Sequence, residues 1–69
     1  MIEVVLILEN DTDIKHYICY SGADLEDVIK SINFKDYIRC NILFYIDDEI
    51  SYEMTKIYKE RYLPQDISR

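Results

Sequence analysis

One glycine, one proline, one histidine, two cysteines and no tryptophan occur in 69 residues. So little Gly and Pro leaves no flexible linker, and so short a chain leaves no room for a second core. Residues 1–69 therefore read as one domain, with 64–69 expected to fray. The lone His16 cannot be joined by another His in a zinc site, and neither Cys19 nor Cys40 belongs to a C-x-x-C motif. Both cysteines fall inside apolar strand patterns. Buried thiols in a reducing compartment account for them, and a disulfide is the alternative. There is no G-x-S-x-G elbow and no Gly-rich phosphate loop, and His16 falls mid-strand, so no catalytic centre is expected. No metal or cofactor is expected either, because Asp47-Asp48-Glu49 lacks the spacing and glycine of a calcium loop. Met1 runs directly into Ile-Glu-Val-Val with no basic n-region and no long apolar run. That pattern predicts no signal peptide, no membrane span and a cytoplasmic protein.

Bases are also scarce. Eight Lys and Arg face fourteen Asp and Glu, for a net charge of −6. A chain of this sign is not suited to neutralise phosphates, which argues against direct nucleic-acid binding and against an anionic membrane. It suits a basic protein surface, although acidic charge also keeps a small domain in solution with no further role. The charge is uneven. Residues 1–27 carry seven acids and one base, and residues 54–69 carry two acids and four bases.

What is present is strand and helix periodicity. Ile38, Cys40, Ile42, Phe44 and Ile46 alternate with Arg39, Asn41, Leu43 and Tyr45, so residues 37–46 read as a strand. Ile2–Glu9 alternates as well, with Val5 and Ile7 making its second face apolar, as in a central strand. Asn10-Asp11-Thr12-Asp13 reads as a turn leading to a second strand, Ile14–Tyr20. Ser21 and Asp24 fit a capping box before Leu25, Val28, Ile29 and Ile32, a helical stripe that Asn33 would end. Ile50, Met54, Ile57, Tyr58 and Tyr62 keep helical spacing, with acids before them, bases towards the end and Pro64 as the stop. The rival reading makes Ile50–Met54 a fourth strand, and the continuation of the stripe to Tyr62 favours the helix.

The predicted fold is a small two-layer α+β domain, β-β-α-β-α. Its three-stranded antiparallel sheet has the order 3-1-2, and both helices lie on one face. In element order the opening hairpin and helix resemble the start of ubiquitin-like folds; no diagnostic residue accompanies the likeness, and no function is carried over from it.

This topology collects acids at one end. Asp24, Glu26 and Asp27 start the first helix, and Asp47, Asp48 and Glu49 follow the third strand, at the same rim. Glu9, Asp11 and Asp13 lie at the far end. Both groups in the rim cluster are read as helix first turns, where carboxylates serve as caps and answer the dipole. The functional reading is a carboxylate patch that imitates nucleic-acid phosphates and docks on a basic groove, with Tyr17 and Tyr45 as exposed anchors. The expected function is a non-catalytic acidic protein-binding module, an inhibitor or modulator of a nucleic-acid-binding protein. The alternative is a small homodimeric assembly module that uses the uncovered sheet face, which would show Tyr and aliphatic groups.

Overall fold

A computed structural model of the chain describes residues 1–64. Apart from Pro64, the expected tail lies outside the described residues. The elements are β1 (Ile2–Glu9), β2 (Ile14–Cys19), α1 (Gly22–Lys30), a 3-10 turn (Phe34–Asp36), β3 (Arg39–Ile46), β4 (Glu49–Ile50) and α2 (Tyr52–Tyr62).

The sheet is antiparallel throughout and has four strands in the order β2-β1-β3-β4. This corrects the expected three-stranded sheet of order 3-1-2. The added strand comes from Asp47 and Asp48, whose φ angles of 50° and 71° are both left-handed. Two consecutive left-handed residues make the two-residue turn that matches strand twist, and Asp tolerates that conformation better than most side chains. The turn sets Glu49 opposite Ile46 and Ile50 opposite Tyr45. Ile50 is thus a strand residue, and the helix begins two residues later.

β1 is central. Val4, Leu6 and Leu8 are fully buried and form the core with Cys19, Leu25, Ile42 and Phe44. Cross-strand partners share a face. Val4 opposes both Cys19 and Phe44, Leu6 opposes Tyr17 and Ile42, and Leu8 opposes Lys15 and Cys40. Lys15, Tyr17 and Cys19 therefore face the helices, whereas Ile14, His16 and Ile18 face away from them. Burial of so many aliphatic groups, about 1.5–3 kcal/mol each, is the main term that holds a domain this small together.

α1 starts at the expected cap, where the Ser21 Oγ accepts from the Asp24 amide at 3.1 Å. Leu25 is buried, and Val28, Ile29 and Ile32 pack against the core. The helix ends earlier than expected, at Ser31, whose hydroxyl donates to the Val28 carbonyl at 2.7 Å. Asn33 instead caps the 3-10 turn through the Lys35 amide. Such a turn shortens β3, which begins at Arg39 rather than Tyr37.

α2 is capped by Ser51, whose Oγ accepts from the Met54 amide at 3.3 Å. Its inward stripe is Met54, Thr55, Tyr58 and Tyr62, and Ile57 is exposed. The Phe44 and Tyr58 rings meet edge to face, with centroids 4.8 Å apart, and the Tyr58 and Tyr62 rings lie 5.5 Å apart. A Cβ on Gly22 would come within 3.2 Å of the Tyr58 hydroxyl, so the chain's one glycine admits α2 close to the start of α1. Leu63 is extended, as a residue before proline prefers, and the helix stops there.

Candidate functional site

β2 and β3 both run antiparallel to β1, so both end beside its beginning: Ile46 opposes Ile2, and Cys19 opposes Val4. The chain therefore leaves the sheet twice at one rim, at points about two strand spacings, or roughly 10 Å, apart. Ser21 and α1 follow one exit, and the Asp47-Asp48 turn follows the other. Asp24, Glu26, Asp27, Asp47, Asp48 and Glu49 are all exposed. Glu9, Asp11 and Asp13 belong to the opposite end, where Asn10 and Asp13 close the β1–β2 loop.

Three of the six rim carboxylates have structural work. Asp24 accepts from the Tyr20 amide at 3.4 Å, which completes the start of α1. Glu26 accepts a hydrogen bond from the Tyr62 hydroxyl at 2.8 Å, tying the two helices together. That bond holds the Tyr62 hydroxyl above its ordinary titration range. Asp47 meets the α-amino group of Met1, and its amide donates to the Met1 carbonyl at 2.8 Å. The amine lowers the titration of Asp47, and Asp47 raises that of the amine. Among the described residues, the carboxylates of Asp27, Asp48 and Glu49 make no hydrogen bond or ion pair. They are the rim's free charge.

The second acidic group does not open a helix, contrary to the expectation. Asp47 and Asp48 form a hairpin turn, Glu49 is a strand residue, and Glu53 is the acid in the first turn of α2. α2 runs from the outer edge of β3 towards α1, where Tyr62 reaches Glu26. Its last turn carries Lys59 and Arg61 and is brought to the Glu26 side of α1. The free charge of the rim is therefore concentrated at Asp48 and Glu49, with Asp27 on α1.

The two tyrosine anchors fall on opposite faces. Tyr45 opposes Glu3 and stands half-buried on the uncovered face. Tyr17 opposes Leu6 and packs on the core beneath the helices. Its expected exposure is corrected by the hairpin register: Glu9 pairs with Ile14, which turns the odd-numbered residues of β2 inward.

His16 stands exposed on the uncovered face, opposite Ile7, whereas both cysteines lie on the helix side. Cys19 and Cys40 are free thiols. They sit on strands that flank β1, already roughly 10 Å apart across the sheet, beyond the reach of a disulfide. Burial raises both thiols above their ordinary range, with a further contribution from Asp24 at Cys19. Among the described residues no group of three or more His, Cys, Asp or Glu could hold a metal ion, and no helix is long and apolar enough to cross a membrane.

The residue that sequence reading missed is Thr55. It is buried, and its Oγ1 accepts from the Phe44 amide at 2.9 Å. Phe44 is also bonded through its carbonyl to the Ser51 amide at 2.8 Å. The outer edge of β3 is thus closed by the start of α2. A threonine between Met54 and Tyr58 lies on the helical stripe, but its polarity hid it from an apolar pattern. Comparison with protein-family models, curated proteins and solved structures finds no match to this chain.

Proposed function

We propose that this chain is a non-catalytic acidic protein-binding module, which inhibits or modulates a nucleic-acid-binding protein by occupying its basic surface as a phosphate mimic. The observation that carries this reading is the shared rim: two exits from the sheet deliver six exposed carboxylates to one end of the molecule. Asp27, Asp48 and Glu49 supply charge that no described hydrogen bond or ion pair consumes, with the Met1 amine near enough to be attracted by Asp48 as well as by Asp47. Charges so arranged speed encounter with a basic surface, and salt weakens the attraction over roughly 8–10 Å. A net charge of −6 on a small domain acts in the same direction.

The test is affinity capture with the full chain, followed by competition. Captured proteins should be rich in nucleic-acid binders, should be lost at high salt, and should be displaced by duplex DNA. Combined substitution of Asp27→Asn, Asp48→Asn and Glu49→Gln should abolish capture while leaving the fold intact. Capture that survives the triple variant, or that duplex DNA leaves unchanged, refutes the proposal.

A further inference from the structure

The sheet face opposite the helices is not covered by any described residue. Its centre is a row across three strands, Ile18, Val5 and Leu43, set by the pairs Val5–Ile18 and Val5–Leu43. On one side the next rows are His16, Ile7 and Asn41, then Ile14, Glu9 and Arg39; on the other Tyr45 stands beside Glu3. Ile14 and Ile18 are 53% and 57% exposed, a poor arrangement for β-branched aliphatic groups in water.

We infer that a second copy of this chain packs face to face on this surface, forming a two-sheet sandwich about a two-fold axis. Charge favours a copy over a basic partner. The ionised residues of the face are Glu3, Glu9 and Arg39, which sum to −1, against −6 for the chain. Arg39 and Glu9 neutralise each other at 3.8 Å. A nearly neutral apolar face suits another such face, and it is where two acidic molecules meet with least repulsion.

Area points the same way. The eight-residue β1 and β3 and the six-residue β2, at about 3.3 Å per residue and about 4.8 Å spacing, give a face of roughly 350 Å² in plan. With side chains standing above that plane, each copy would bury on the order of 500 Å², about 1,000 Å² in total, at the lower bound of a specific interface.

Extension of the sheet is closed on one side. β4 has two residues, and the β3 amides beyond it are taken by side chains: Phe44 by Thr55 and Ile42 by Asn41 at 2.9 Å. Edge-to-edge pairing is thereby left only to the outer edge of β2, and the uncovered face is the larger apolar surface open to a second copy. Packing there uses a different surface from the carboxylate rim.

Sedimentation equilibrium of the full chain from about 1 to about 300 µM tests this. The wild type should be dimeric, and Ile18→Glu should raise the dimer dissociation constant roughly a hundredfold or more by placing a charge in the apolar row. Both Ile18→Glu and a second variant, Ile14→Glu, alter exposed side chains and should retain the wild-type circular dichroism spectrum. Asp27→Asn should leave dimerisation unchanged, and Ile18→Glu should leave salt-dependent capture by the rim unchanged. A wild type that stays monomeric throughout overturns the inference. So does dimerisation unaffected by both face variants, as pairing through the outer edge of β2 would give.

Discussion

Thr55 shows how one hydroxyl can hold two layers together. It is 7% exposed, and it satisfies the Phe44 amide at a point where β4 has already ended. Thr55→Val keeps the shape and strands that amide without an acceptor. The expected loss is about 1–3 kcal/mol, read as a shift in the urea midpoint at constant slope. Tyr62 makes the corresponding tie between helices, with Glu26 as acceptor. Because its hydroxyl titrates higher in the folded state, the stabilisation is complete below the ordinary tyrosine range and is lost as pH rises through the raised value. Tyr62→Phe should cost about 0.5–1 kcal/mol at neutral pH and flatten the fall in stability above pH of about 10. An unchanged alkaline profile would show that the hydrogen bond contributes nothing in solution.

At the scale of elements, the decisive device is the Asp47-Asp48 turn. Both residues pay for a left-handed backbone that glycine adopts freely. Asp48→Gly should therefore stabilise the protein by about 1 kcal/mol, and thermal unfolding should shift up by about 4–8 °C. A lower melting temperature would mean that the turn in solution is not this one. The same turn explains what the sequence left hidden. β1, β2, β3 and both helices were legible because their apolar residues repeat at two or at 3.6. β4 is too short for any period to show, and the usual hairpin signal, Asn-Gly or Asp-Gly, is missing from a chain with one glycine. The faces of β2 were ambiguous because Ile14, His16 and Ile18 alternate with Lys15, Tyr17 and Cys19, and neither set is clearly the polar one. Only the register with β1 decides it, and register depends on loop geometry. That is why Tyr17 and Tyr45 were both expected to be exposed anchors, whereas only Tyr45 lies on the uncovered face.

For the whole molecule, antiparallel topology is what turns a scattered excess of acids into a rim. The acids at positions 24–27 and 47–49 are about twenty residues apart in sequence, and they follow exits at one rim because β2 and β3 flank the same strand in the same direction. The gathering was readable from element order. Division of labour within it was not, because Asp24, Glu26 and Asp47 take their structural partners from the Tyr20 amide, Tyr62 and the Met1 amine, of which only the first is near in sequence. Opposite charge also had to be placed by the fold, since α2 carries Lys59 and Arg61 back towards α1. The measurement that bears most directly on the rim is the salt dependence of affinity for a captured basic partner. A steep loss of affinity with salt is predicted for the wild type, with a clearly shallower slope for the single variant Asp48→Asn, which keeps the other rim carboxylates and still binds. Equal slopes for the two proteins would contradict the account.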